Sequence, residues 1–250
     1  GLIQFVGPPG CGKSSLAAKV IATGQRKFPG KFLCMYLDAE NTTTTVRLEE
    51  LGVRNPRVTP QRGITVEKVF AIVEHLCVYK EKNPELLEVP SLIVWDSIAM
   101  TPTEAEATSE SEQLSQLASG MTKYLKKYVD KMAFYNITLL GINQLRDNMN
   151  VGPVKSFNKL KFLGDFKIPG GNANLFASTQ LFFCRPISDI RSDNKVNSKS
   201  TDTILGFDGS IISGKTVKNK LFSPNIPIEL AFSFERGFSN FWTNYLLLKI

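Results

Sequence analysis

Near the start of the chain, Gly7-Pro8-Pro9-Gly10-Cys11-Gly12-Lys13-Ser14 fits the pattern G-x-x-x-x-G-K-[ST] at every fixed position. These residue types suit a loop that cradles phosphates. Glycines let backbone N–H groups converge on phosphate oxygens, and a helix N-terminus behind them adds partial positive charge. Lys13 then reaches the β- and γ-phosphates and the Ser14 hydroxyl ligates Mg²⁺. Ser15 is the last candidate contact of the loop. Two acidic positions further along supply the remaining chemistry. Asp38-Ala39-Glu40-Asn41 places two carboxylates together, with Glu40 the candidate base toward an attacking water. The apolar run Ser91-Leu92-Ile93-Val94-Trp95 ends in Asp96, a Walker B arrangement whose aspartate holds Mg²⁺ directly or through water. The pattern implies a nucleoside triphosphate, ATP, with magnesium.

The elements that position these groups are readable around them. Leu2 to Val6 is short, apolar and β-prone, and after the loop Leu16, Val20 and Ile21 recur on one helical face. Strand, glycine-rich turn and helix is the context the phosphate motif requires. Phe32 to Leu37 is a continuous apolar run, expected as a buried parallel strand whose C-terminal edge carries Asp38 and Glu40. Thr42 to Thr45 reads as a loop entering a helix over Val46–Leu51 that Gly52 stops, and Val66 to Tyr79 as a surface helix in which His75 is structural. Ile137 to Ile142 is another buried strand, ending in Asn143-Gln144; Gln144 either senses the γ-phosphate or caps the strand.

Composition sets the class. A chain of 250 residues with 42% hydrophobic and 21% charged residues is ordinary for a globular protein and suits one large domain or two small ones. No apolar run approaches the roughly 20 residues of a membrane span. Four scattered cysteines and one histidine exclude a disulfide framework or a zinc site and fit a reducing, cytoplasmic setting. The net charge of +7 is compatible with a polyanionic partner. The chain opens at Gly1, inside the strand feeding the loop, and is expected to be a core cut from a longer protein.

Beyond Ile98 the reading turns to partners. Thr103 to Gln116 is polar and acidic, a loop or a frayed helix start, and Leu117 to Met132 is a basic amphipathic helix. Leu145 to Pro169 has no clear period and is about 25 residues long, too long for an ordinary connector. It interleaves Arg146, Lys155, Lys159, Lys161 and Lys167 with Phe157, Phe162 and Phe166. Cations for phosphates and aromatics for bases make a single-strand-binding composition. Gly170-Gly171-Asn172 closes this stretch and completes the candidate DNA-binding set, and Ala173 to Ser178 reads as a short helix. A strand follows over Thr179–Cys184, then a polar excursion at Ser188–Ser200 expected to be mobile. Strands near Asp202–Phe207, Lys215–Val217 and Ile228–Phe234 have hairpin-like spacing.

The order of motifs resembles the RecA family of recombinases over nearly the whole chain. Beside the phosphate loop, the resemblance rests on Leu37-Asp38-Ala39-Glu40 with Leu51-Gly52-Val53, Val94-Trp95-Asp96-Ser97-Ile98-Ala99 with Thr101-Pro102, and Ile142-Asn143-Gln144. Pro169-Gly170-Gly171-Asn172-Ala173 and Lys215-Thr216-Val217-Lys218-Asn219-Lys220 complete it. The resemblance implies an α/β P-loop NTPase core over residues 1–250: a mostly parallel sheet flanked by helices, with antiparallel strands toward the C-terminus. It further implies an ATP-dependent, homo-oligomeric helical filament on single-stranded DNA, with duplex DNA engaged during strand exchange. In that resemblance Glu40 is the catalytic glutamate and Gln144 the switch between γ-phosphate and DNA loop. Lys218 and Lys220 act on a neighbour's ATP, and Thr103–Gln116 and Leu145–Pro169 are the two DNA loops. Arg47 stands where RecA proteins place a tyrosine over adenine, so the base site is either looser or stacks through a guanidinium. That departure, an acidic first loop and a long basic second loop resemble the phage-type UvsX group. A DnaB-type helicase and a non-catalytic RecA-like assembly protein share the core and remain rival classes.

Overall fold

Apolar runs without polar alternation form strands covered on both faces, and here they lie side by side in one sheet. The computed structural model describes residues 1–56, 63–108, 114–147, 166–191, 202–203 and 207–248. Its first half runs β1 (Leu2–Gly7), α1 (Lys13–Lys27), β2 (Leu33–Asp38), α2 (Thr45–Glu50), α3 (Val66–Lys82), β3 (Ser91–Asp96), α4 (Glu104–Thr108), α5 (Leu114–Phe134) and β4 (Ile137–Gln144). The second half runs β5 (Arg146–Asp147), β6 (Phe166–Lys167), α6 (Gly171–Ala177), β7 (Ser178–Arg191), β8 (Asp202–Thr203), β9 (Gly209–Asn219), β10 (Pro227–Ser233), β11 (Gly237–Phe238) and α7 (Asn240–Leu248).

The strand order is β2-β3-β4-β1-β7-β9-β10-β11, with β8 beside β7. From β2 to β7 neighbouring strands are parallel, whereas β7–β9, β9–β10 and β10–β11 are antiparallel. The fold is therefore an α/β sandwich with a mostly parallel sheet and antiparallel strands at its C-terminal end, as the resemblance implies. Register brings the carboxyl ends into line: Asp38 opposite Asp96, Asp96 opposite Ile142, and Gly7 opposite Gln144. Each side chain alternation feeds a separate layer. Ile93, Trp95 and Leu139 pack against Phe70, Met121 and Tyr128 of α3 and α5. Val94, Leu140 and Phe5 pack against Ala17, Ala18 and Ile21 of α1.

Several expectations change in three dimensions. β2 is the outer strand of the parallel side, so its apolar run is not fully covered, and Cys34 and Met35 are exposed. On α1 the buried face is Ala17, Ala18, Ile21 and Ala22; Leu16 is half-buried and Val20 exposed, because small side chains let the helix lie close on the sheet. β7 continues through Ser188 to Arg191, part of the stretch expected to be a polar excursion, because β9 pairs with it as far as Ile190. Residues 192–201 lie outside the described ones. The strand expected at Lys215–Val217 is the end of the longer β9. At Leu145–Pro169, β5 and β6 pair antiparallel and join the two ends of the segment, while residues 148–165 lie outside the description. Among the described residues no helix is long and apolar enough to cross a membrane.

Candidate nucleotide site

β1 delivers Gly7 to the carboxyl edge of the sheet and α1 begins six residues later. The turn between them needs glycine: Gly10 and Gly12 adopt φ of 76° and 75°, in the left-handed region. At Gly7 a Cβ would run into the Cys184 carbonyl. Gly12 is the N-cap of α1 and supplies no side-chain cap, and no acid stands in the first turn. Helix N–H groups left in this way form a ready anion site. Lys13 is buried, and its ammonium lies across the loop, donating to Gly7 O at 3.0 Å and Pro8 O at 2.7 Å. The amine is held where phosphate oxygens can exchange for those carbonyls.

Beside the loop, oxygen ligands converge. The Ser14 hydroxyl stands beside the Asp96 carboxylate, and Tyr36 donates its phenol to Asp96 Oδ2 at 2.6 Å. Burial raises the Asp96 pKa, hydrogen bonds from Tyr36 and Ser14 oppose this, and the nearby Glu40 and Asp38 charges add to the rise. The Tyr36 phenol is pushed up in turn, first by burial and then by the Asp96 charge. A hydroxyl and a buried carboxylate in contact are hard oxygen ligands, and Mg²⁺ takes few of these from protein and completes its shell with water and phosphate. Ser14 and Asp96 fit that ion. Among the described residues no cluster of three or more His, Cys, Asp or Glu offers a competing metal site.

Glu40 sits on the other side of this pair. Asp38 accepts the backbone N–H of Glu40 at 3.1 Å and of Thr43 at 2.7 Å, turning the chain so that Glu40 faces β3 and β4. Glu40 Oε1 then accepts from Ser97 Oγ at 2.6 Å and from Gln144 Nε2 at 2.9 Å. Tyr36, Asp38 and Ser97 are positioning groups that motif reading passes over. Only the two-residue spacing of Tyr36 and Asp38, which puts both on one face of β2, hints at them.

A second polar cluster lies behind the loop. Gln4, Asn143, Asn174 and Ser178 are all fully buried. Gln4 Nε2 donates to Asn174 Oδ1 at 2.9 Å and Ser178 Oγ at 2.6 Å, and Asn143 and Asn174 each donate to Pro169 O at 3.0 Å. The cluster joins β1, the end of β4, the end of the 145–169 segment and α6. Gly170 and Gly171, at φ 89° and 71°, make the turn into α6, and Asn172 is exposed on its first turn.

The remaining sequence-derived residues fall apart from the loop. Arg47 donates to Glu50 Oε2 at 2.9 Å, to Glu235 O at 2.6 Å and to Phe234 O at 3.2 Å, joining α2 to the β10–β11 turn. Lys218 donates to Leu175 O at 2.7 Å and Phe176 O at 2.8 Å at the carbonyl end of α6. Burial, followed by the Lys220 charge, lowers its pKa. Register sets Lys218 beside Leu181, which is beside Gln4, so within one chain it lies back from the Gly7 edge. Lys220 is exposed, its backbone N–H on Thr179 O. Arg146 and Lys167 are paired backbone to backbone through β5 and β6, whereas Lys155, Lys159 and Lys161 lie outside the described residues.

The chain has known relatives. A family model for the RecA N-terminal domain matches residues 1–239. The chain is 28% identical over 239 residues to Protein RecA of Borreliella burgdorferi, covering 95% of this chain and 58% of that protein. To Protein RecA of Colwellia psychrerythraea it is 29% identical over 242 residues, covering 96% and 61%. To that of Ehrlichia chaffeensis it is 28% identical over 240, covering 95% and 58%. The chain thus spans about three-fifths of the length of these relatives. Since the match runs through every strand of the sheet, from β1 to the end of β11, the chain belongs to the RecA family.

Proposed function

We propose that residues 1–250 are the ATPase core of a DNA strand-exchange protein that forms a filament on single-stranded DNA. The observation that carries this is the Gln144–Glu40 hydrogen bond. It joins a candidate base to the strand that leads straight into β5 and the basic 145–169 segment. In this reading the loop amides and Lys13 bind the triphosphate, and Ser14 and Asp96 hold Mg²⁺, which neutralises charge on the phosphates. Glu40 orients an attacking water and takes its proton, with Ser97 and Gln144 keeping the carboxylate in place. Gln144 exchanges Glu40 for the γ-phosphate and so passes the state of the site to the segment that grips DNA through Arg146, Lys155, Lys159, Lys161, Lys167 and the Gly170–Asn172 turn. Lys218 and Lys220, set back from their own loop, act on the ATP of a neighbouring subunit.

The test is ATP turnover with and without single-stranded DNA, in the parent chain and in Glu40→Gln. Single-stranded DNA should raise turnover in the parent. Glu40→Gln should keep ATP affinity and lose about 10²–10⁴-fold in kcat. Turnover indifferent to DNA, or a Glu40→Gln chain that loses affinity with kcat intact, would defeat the assignment.

A further inference from the structure

Two of the four cysteines meet at the phosphate loop. Cys11 stands between the left-handed Gly10 and Gly12, and Cys184 stands on β7 directly behind them. Their sulfurs are 3.3 Å apart, both side chains are 1% exposed, and Lys13 Nζ is 3.7 Å from Cys11 Sγ. Cys184 Sγ is also 3.6 Å from Val6 O. The other two cysteines are placed differently, Cys34 exposed on the outer strand and Cys77 buried on α3.

We propose that Cys11 and Cys184 form a dithiol site that a hydroperoxide closes to a disulfide, reversibly disabling the phosphate loop. The two sulfurs are unlike. Cys11 is pulled down, chiefly by the hydrogen bond with Cys184 and then by the Lys13 ammonium 3.7 Å away, against the effect of burial. Cys184 is pushed up by the same hydrogen bond and by burial. Cys11 is therefore the attacking thiolate and Cys184 the resolving thiol. Pro9 and Gly10, immediately before Cys11, are exposed, so the cover over the sulfur is this short turn.

The steps balance. Cys11 sulfur attacks one peroxide oxygen, an S–O bond forms, the O–O bond breaks, and the other oxygen leaves as an alcohol or water after taking a proton. Cys184 sulfur then attacks Cys11 sulfur, the S–S bond forms, and the S–O bond breaks. The hydroxide released takes the Cys184 proton and leaves as water. The two sulfurs lose two electrons in total, and the peroxide gains them. A dithiol reductant reverses the closure by exchange.

A disulfide holds its sulfurs about 2.0 Å apart, so one side must give by about 1.3 Å from the observed separation. The β7 backbone is the firmer side, because it is paired on both sides by β1 and β9 and Gly7 already abuts the Cys184 carbonyl. Backbone motion therefore falls on Gly10-Cys11-Gly12, the left-handed turn that leads into the N-terminus of α1. Displacement of positioning groups by about 1 Å costs up to roughly 10²-fold in rate. The bond itself depends on the thiols alone; its effect on turnover rests on the proposed ATPase function.

The experiment treats the reduced protein with hydrogen peroxide, maps its peptides, and measures binding of a fluorescent ATP analogue and ATP turnover before and after dithiothreitol. The expected result is a Cys11–Cys184 cross-linked peptide two hydrogens lighter than its parts, weaker analogue binding, and turnover lower by on the order of 10²-fold, all restored by dithiothreitol. Cys184→Ser and Cys184→Ala should bind the analogue like the parent before peroxide and yield no cross-link. Oxidation of Cys34 with Cys11 and Cys184 left unlinked would overturn the proposal, as would cross-linked protein that turns over like the reduced form. Reduced protein that binds no analogue would instead overturn the proposed function, with the cross-link still deciding the dithiol.

Discussion

Lys13 and Lys80 are both buried, at 7% and 0% exposure, and each ammonium donates to two backbone carbonyls. The two regions nevertheless differ in what those carbonyls belong to. Lys13 takes Gly7 O and Pro8 O from its own loop, five and six residues back, beneath an exposed turn. Lys80, near the end of α3, takes Val89 O at 2.6 Å and Tyr135 O at 2.7 Å. Those carbonyls come from the approaches to β3 and β4, nine and fifty-five residues away. Lys80 is a clip between three distant segments and has nothing to exchange. Lys13 is a cation parked on local acceptors that a phosphate can replace. A buried lysine is therefore no mark of a site by itself. The sequence distance of its partners separates a structural clip from a binding group.

Substitutions at the two positions can break this contrast. The largest effect is expected from Lys13→Ala, which should cut ATP turnover by about 10²–10³-fold, the usual loss when one preorganised donor is removed. Its unfolding free energy should stay within about 1 kcal/mol of the parent, since the exposed Pro9–Gly10 turn lets water take the place of the removed ammonium. A Lys13→Ala chain that melts far below the parent would make Lys13 a clip as well.

Next comes Lys80→Ala, which removes the donor that the part-buried Val89 and Tyr135 carbonyls share and leaves Val89 O only the Ser91 hydroxyl at 3.3 Å. Each buried group left unsatisfied costs about 1–3 kcal/mol, and each kcal/mol lowers Tm by roughly 2–4 °C for a chain of this size. Turnover per folded molecule should not change. Thermal melts and turnover on the same sample decide it, and loss of turnover without loss of stability would erase the distinction.

The smallest effect is a pH dependence. Burial lowers the Lys80 pKa from its ordinary 10.5, so the unfolded chain holds this proton more tightly than the folded one. Stability then rises with pH through the window between the lowered folded value and 10.5. Lys80→Met keeps the apolar stem and lacks the proton, so the stability of the parent relative to Lys80→Met should increase across that window. A difference that shrinks on approach to 10.5 would contradict the sign.

The contrast also explains what the amino-acid sequence could reveal. The phosphate loop is contiguous, and its glycines, lysine and serine are each dictated by local geometry, so Gly7 to Ser14 is legible letter by letter. Asp96 and Glu40 are legible as acids at the ends of apolar runs. Ser97 and Tyr36 are not, because their bonds to Glu40 and Asp96 depend on how β2 registers against β3. The exposure of Met35 follows from β2 being outermost, and strand order is not written in any one strand. Lys80 sits in a helical pattern whose neighbours Tyr79 and Glu81 are exposed, and only the distant Tyr135 carbonyl gives it a place. Lys218 is similar: its seat at the end of α6 joins residues more than forty positions apart.

The end of β4 bears on how this chain can change over generations. Side chains alternate along a strand, and so Asn143 turns to Pro169 and the buried amides while Gln144, one residue on, turns to Glu40. Inserting or deleting a single residue within β4 would exchange the two, sending the asparagine toward the acid and leaving Pro169 O with Asn174 as its one donor from the cluster. Length variation is therefore barred from β4 and displaced into the segment beyond the β5–β6 pair. There, added or lost residues leave both amides in place.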